Sequence, residues 1–175
     1  MVTFRKMVAE ESVKIKEIDR SETINLIYVQ QGPDIVEVVT DLECVRWDEN
    51  QIRQLEERYH FELINGGTAV GSFDNELLVG FGVLAHNFRG ANRDQLQVDL
   101  MYVSQNYRRQ GIATRIIQEL SWIAKRKGAK YLYISSTETE SAVNFYRSCG
   151  SAAAEEIDPE LFEKEPKDIH MIITL

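Results

Sequence analysis

Residues 98–114, VDLMYVSQNYRRQGIAT, decide how this chain is read. An apolar, strand-like run, LMYV, stops at a short polar loop. Arg108-Arg109-Gln110-Gly111-Ile112-Ala113 follows, and a long amphipathic helix begins near Thr114. A strand, a tight turn of small residues and a helix start together offer several backbone N–H groups to an anion. The first N–H groups of a helix have no internal partner, and the helix dipole adds positive potential there. Gly111 and Ala113 keep side chains out of the way of a pyrophosphate approaching the backbone. No Gly-x-x-x-x-Gly-Lys-Ser/Thr occurs, which argues against a P-loop. No Gly-x-Gly-x-x-Gly follows a strand near the N-terminus, which argues against a dinucleotide fold.

Outward from this stretch the periodicity changes element by element. Downstream, Ile116, Ile117, Leu120, Ile123 and Ala124 share one side of the helix, and Gly128 stops it. Residues 131–135 read as a buried, apolar strand, and 141–149 as a short helix ended by Gly150. Two more strands are expected, around 151–157 and at 170–174, with Pro159 and Pro166 in the connection. Upstream, residues 68–73 and 77–86 flank a hairpin turn at Asp74-Asn75. After the loop at 87–94, the strand at 95–103 completes an antiparallel meander. Nearer the start, residues 12–18 alternate apolar and polar and read as a strand. Asp19, with Glu22 three residues on, forms a capping-box pattern for a helix carrying Ile24 and Ile27. Gln31-Gly32-Pro33-Asp34 breaks that pattern. Residues 34–47 have strand composition without a clean period, and Asp48 with Gln51 caps a second helix. The order predicts a mixed α/β fold, with residues 1–175 as one domain.

The chain has 175 residues, enough for one real core, with 43% apolar and 27% charged residues. No apolar run is long enough to span a bilayer, and the N-terminus lacks the apolar region of a signal peptide. The cytoplasm is the expected compartment, and no membrane partner is expected. A net charge of −8 repels phosphate backbones, so nucleic acid is not an expected partner. Cys44 and Cys149 make no metal-ligand spacing with each other or with the three histidines, so no metal is expected.

Arg-x-x-Gly-x-Ala after a strand ending in Leu-x-x-Val resembles the acetyl-CoA-binding signature of the GNAT N-acetyltransferase superfamily. The element order resembles that superfamily over nearly the whole chain. The resemblance implies a central mixed, mostly antiparallel sheet flanked by helices, with acetyl-CoA as cosubstrate. It implies that the strand at 95–103 splays from the parallel strand at 131–135. Met101, Tyr102 and Val103 then pair through their main chain with the pantetheine arm. Arg109, Gly111, Ala113 and Thr114 hold the pyrophosphate by backbone N–H, and Arg108 occupies the family's Arg/Gln position. The N–H of Val103 is the implied donor to the thioester carbonyl.

Ala142-x-x-x-Tyr146-x-x-x-Gly150 is similar to a further segment of the superfamily, and implies that Tyr146 protonates the departing sulfur. From spacing alone Tyr146 is equally an aromatic on a core-facing helix side. An Asn common in the family is replaced by Thr139, and the Phe after Gly150 by Ser151. The CoA contact then falls to Thr139, Ser141 or Asn144, or to water. For the base, strand alternation puts Gln97, Asp99, Met101 and Val103 on one face, and Asp99 is the nearest carboxylate. Asp99 is equally a solvated strand residue, and Glu138 and His170 are rivals. The reading is an N-acetyltransferase acting on a small-molecule or peptidic amine by direct attack in a ternary complex. A non-catalytic acyl-CoA-binding or interaction module on the same fold is the alternative. The acceptor end is expected to be lined by residues 31–47 and the loop at 87–94. Exposed edge strands leave room for a homodimer.

Overall fold

In the computed structural model, which describes residues 1–175, the chain begins with β1 (Val2–Met7) and a 3-10 helix (Ala9–Glu17). The alternation in residues 12–18 therefore does not make a strand. With three residues per turn, Ile15 and Ile18 fall on one side, and both are buried. Glu11 anchors the start, its carboxylate accepting from the N–H of Val8 at 2.9 Å.

A second correction follows at once. β2 (Glu22–Gln31) and β3 (Asp34–Cys44) form a two-stranded hairpin where the capping-box pattern predicts a helix. Asp19 instead accepts from the N–H and hydroxyl of Ser21, a local turn. Ile24, Ile27, Val29, Val36, Val38 and Val39 are β-branched and suit paired strands. Gly32 and Pro33 close the two-residue turn, with Gly32 at φ 60°. Composition and turn chemistry override the cap signal.

The rest follows the sequence closely until its end. Asp48 caps α1 (Glu49–Ile64), accepting from Gln51 N–H at 2.8 Å. β4 (Thr68–Asp74), β5 (Leu77–Arg89) and β6 (Gln95–Val103) make the antiparallel meander. α2 (Ile112–Arg126), β7 (Tyr131–Ser136) and α3 (Glu140–Ser148) follow. The strand expected at 151–157 shrinks to β8 (Ala152–Ala153). Asp158 and Pro159 then begin α4 (Pro159–Lys164), Asp158 accepting from Leu161 N–H at 3.1 Å. β9 (Ile169–Thr174) closes the chain.

One seven-stranded sheet in the order β1-β4-β5-β6-β7-β9-β8 carries the fold, and β6–β7 is its parallel pair. α2 and α3 cover one face, burying Ile116, Leu120 and Val143 against Leu84, Leu96 and Leu132. α1 and the 3-10 helix cover the other, with Ile15, Tyr59, Phe81 and Leu100. No helix is long and apolar enough to cross a membrane.

Candidate active site

β6 and β7 start together and separate. They pair only at Gln95–Tyr131, Leu96–Leu132 and Gln97–Tyr133, although β6 runs on to Val103 and β7 to Ser136. β5 still holds one edge of β6 as far as Val103, and β9 the far edge of β7 as far as Ser136. Beyond Gln97 the facing edges leave main-chain groups without a strand partner, in a fork that opens toward Val103. Ser104 donates its N–H to Val79 of β5 at 2.8 Å. Because main-chain direction alternates along a strand, the polar groups of Met101 and Val103 point into the fork. Those of Tyr102 point toward β5, so the pantetheine pairing expected of Tyr102 does not fit its main chain. The Val103 carbonyl is taken by Arg108 Nε at 3.0 Å, and its N–H faces the fork.

A bulge re-sorts the side chains of β6. Val83 pairs with Leu100 and Leu84 with Val98, which leaves Asp99 as an extra residue. Val98, Met101 and Val103 pack on the α2 side, whereas Leu100 and Tyr102 pack on the α1 side. Asp99 is also on the α1 side, and the single shared face expected from unbroken alternation does not exist. Arg58 of α1 grips Asp99 through Nε to Oδ2 at 2.9 Å and Nη2 to Oδ1 at 2.7 Å. The same guanidinium reaches the Asp99 carbonyl at 3.0 Å, and the Asp99 side chain is 5% exposed. Both carboxylate oxygens are engaged by one guanidinium, so the geometry removes Asp99 as the base and makes it a structural ion pair.

At the mouth of the fork, Arg109 at φ 59° and Gly111 at φ 79° turn the chain into α2. The N–H groups of Arg109, Gln110, Gly111, Ile112, Ala113 and Thr114 have no partner within the protein, and no side chain caps the helix. Alternating left-handed residues ahead of a helix aim such groups at one point, an anion-binding nest. Gly111 serves by its backbone conformation, since a Cβ built on it meets nothing within 4 Å. The Arg108 side chain turns away from this nest. It donates to the carbonyls of Val103 at 3.0 Å, Arg20 at 3.0 Å and Ser21 at 3.2 Å, tying the 3-10 exit to the end of β6.

Across the fork stands α3. Thr139 caps it, accepting from Ala142 N–H at 3.4 Å. Asn144 is exposed and accepts from the Tyr28 hydroxyl of β2 at 3.2 Å. Tyr28 also donates its N–H to the Glu138 carbonyl at 2.7 Å, so the hairpin clamps the start of α3. The Tyr146 ring belongs to the α2-side core and is 8% exposed, yet its hydroxyl makes no hydrogen bond to the protein. Burial raises its pKa, and Tyr102, Cys149 and Asp168 add in the same direction. Tyr102 and Asp168 lie on the opposite face, so this hydroxyl sits at the opening between the two faces.

Asp168, at the start of β9, escaped the sequence reading. Ser135 of β7 donates its hydroxyl to Asp168 Oδ2 at 2.7 Å. Burial pushes the carboxyl up to about 6, against the lowering effect of that hydrogen bond. No local pattern marks Asp168; the Ser135–His170 register of β7 and β9 brings it to the fork. His170 is held internally. Its Nδ1 lies 2.6 Å from the Tyr133 hydroxyl, which also accepts from Asp158 N–H at 2.9 Å. Of the expected acceptor segments, Trp47 is buried edge-on against Tyr102 at 4.8 Å. The loop at 87–94 lies at the closed end of the fork, where Arg89 binds Asp158 ahead of α4.

Residues 35–151 match the model of the acetyltransferase (GNAT) family, and the chain belongs to that family. It is an acyltransferase by that membership. No curated protein matches the sequence. Among solved structures, the fold is similar to nourseothricin acetyltransferase, at 19% identity over 99% of this chain and 98% of that one, TM-score 0.74. A Bacillus anthracis protein described as a streptothricin acetyltransferase, in complex with acetyl coenzyme A, shares 17% identity over 100% and 99%, TM-score 0.69. PaiA N-acetyltransferase from Thermoplasma acidophilum, in complex with coenzyme A, shares 18% over 100% and 99%, TM-score 0.64. At these identities the likeness is one of fold.

Proposed function

We propose that the fork binds acetyl-CoA and that its acetyl group passes to a primary amine, of a small-molecule or peptidic acceptor, by direct attack. The observation that carries this is the fork itself, which ends in a nest of backbone N–H groups on one side and the Tyr146 phenol, bonded to no protein group, on the other. The nest at residues 109–114 takes the pyrophosphate, and the fork-facing main chain of Met101 pairs with the pantetheine amides. The N–H of Val103 donates to the thioester oxygen as it becomes negative. Tyr146 gives its proton to the departing sulfur; its hydroxyl is protonated and no protein group engages it. Thr139 and Asn144 edge the site from α3. Similar structures include one named for nourseothricin and one named for the alanine of ribosomal protein S18, so the fold alone leaves the acceptor open. Release of free CoA thiol with a panel of amines tests the reading. Turnover with at least one amine is the expected result. Tight acetyl-CoA binding with no thiol release from any amine would reduce the protein to a binding module.

A further inference from the structure

We propose that Asp168 takes the proton from the acceptor amine, and that Glu138 and Glu165 beside it select acceptors bearing a second positive charge. The proposal rests on the acetyl-transfer reading of the fork.

Three observations converge on Asp168. It stands at the end of β9 nearest the open mouth of the fork, where β7 has left β6 and only β9 still pairs with it. Ser135 orients one carboxylate oxygen at 2.7 Å, and no other hydrogen bond engages the Asp168 side chain. The Tyr146 hydroxyl, on a side chain more than nine-tenths buried and without a partner, feels the Asp168 charge across the opening. The two groups thus bracket one space from opposite faces. A thioester there has its sulfur toward Tyr146 and its attacking amine toward Asp168.

Burial is the main cause of the raised Asp168 pKa; charged neighbours add to it and set the specificity. Glu165 ends α4, donating its N–H to the Leu161 carbonyl at 3.1 Å and accepting from Asp168 N–H at 3.1 Å through its own carbonyl. Glu138 follows β7, and both carboxylates raise the Asp168 pKa. Arg58 of α1 opposes them, but its guanidinium is already committed to Asp99. Tyr146 of α3 faces from the far side, and Lys167 and His170 flank Asp168 in sequence. Asp99 by contrast has both oxygens held by Arg58, whereas Asp168 keeps one oxygen without a hydrogen bond.

The step balances as follows. The ammonium of the acceptor gives one proton to the Asp168 carboxylate, and its nitrogen lone pair forms the C–N bond to the thioester carbon. The carbonyl π pair moves to oxygen, held by the Val103 N–H. When that pair returns, the C–S bond breaks, and the thiolate takes the Tyr146 proton. Tyr146 recovers a proton from the amide nitrogen, directly or through water, and Asp168 releases its own to solvent. A base near the working pH is the efficient choice for such a transfer.

The test uses the full chain with acetyl-CoA and the fastest of spermidine, cadaverine and lysinamide, compared with phenethylamine. Asp168→Asn is expected to lower kcat/KM at least 100-fold while calorimetric acetyl-CoA affinity stays within twofold. The wild-type kcat/KM is expected to rise with pH through about 6, and the variant to lose that limb. Joint Glu138→Gln and Glu165→Gln substitution is expected to raise KM severalfold for the dication and little for phenethylamine. An Asp168→Asn enzyme within threefold of wild type overturns the base. So does a wild-type profile flat from about pH 5 to 8, which needs no variant to fold. A wild type that prefers phenethylamine overturns the charge selection. No turnover with any amine is a different failure, that of acetyl transfer itself.

Discussion

Asp168 is held in a state that weakens the fold, which is how a functional carboxylate differs from a structural one. Its folded pKa lies near 6, above its ordinary value of 3.8, so the native state binds the proton more tightly than the unfolded chain. The stability this gives is present below the ordinary range and is lost as pH rises through about 6. Asp168→Asn has no charge to bury. Its melting temperature at pH 7.5 should equal or exceed that of wild type, with the gap closing below about pH 4. A variant less stable at every pH would make Asp168 structural. Asp99 shows the contrary case. Arg58→Ala strands a buried carboxylate and should cost about 1.5–3 kcal/mol in urea unfolding. A loss under about 0.5 kcal/mol would show that the pair is screened like a surface bridge. At α3, Tyr146→Phe keeps the ring packing and removes only the proton. Its kcat should fall about 100-fold with acetyl-CoA affinity unchanged, the scale of general-acid loss. Normal turnover would return Tyr146 to a packing role.

Among the elements, the strand–turn–helix at residues 95–126 makes the most specific claim. Gly111 occupies φ 79° with open space around its α-carbon, so a branched side chain there acts through backbone strain, not collision. Gly111→Val should weaken acetyl-CoA binding at least tenfold, about 1.4 kcal/mol, by calorimetry. Unchanged affinity in a folded variant would contradict the nest. This segment was legible in the sequence because each of its signals is local: an apolar run, a Gly, a helical stripe. α1 was legible for the same reason, through Asp48 and Gln51. The β2–β3 hairpin was not, because a true local turn at Asp19 and Ser21 imitates a helix cap. The 3-10 helix imitated a strand because Val13 and Ile15 alternate with polar residues, although the buried pair is Ile15 and Ile18, three residues apart. The bulge at Asp99 and the approach of Asp168 to Ser135 exist only in the register between strands. A single sequence does not display register, so the strand–turn–helix was readable and the placement of Asp99 and Asp168 was not.

For the whole molecule, the proposed charge selection implies that the net charge of −8 and the carboxylates at the fork act together on a cationic acceptor. Salt screens that attraction over a Debye length of about 8 Å at physiological ionic strength. The acceptor KM should therefore rise several-fold between about 0.05 and 0.5 M salt for a dication, and much less for phenethylamine. Equal responses would remove long-range steering from the account. β6 and β7 separate beyond Gln97, and the binding of acetyl-CoA rests on that separation. Amide hydrogen exchange with saturating acetyl-CoA tests it most directly. The N–H groups of residues 109–114, with Met101 and Val103, have no strand or helix partner in the free protein and should become protected. The β2–β3 hairpin turn at Gly32 should exchange as before. Protection absent from residues 109–114, or confined to another surface, would contradict the fork as the donor site.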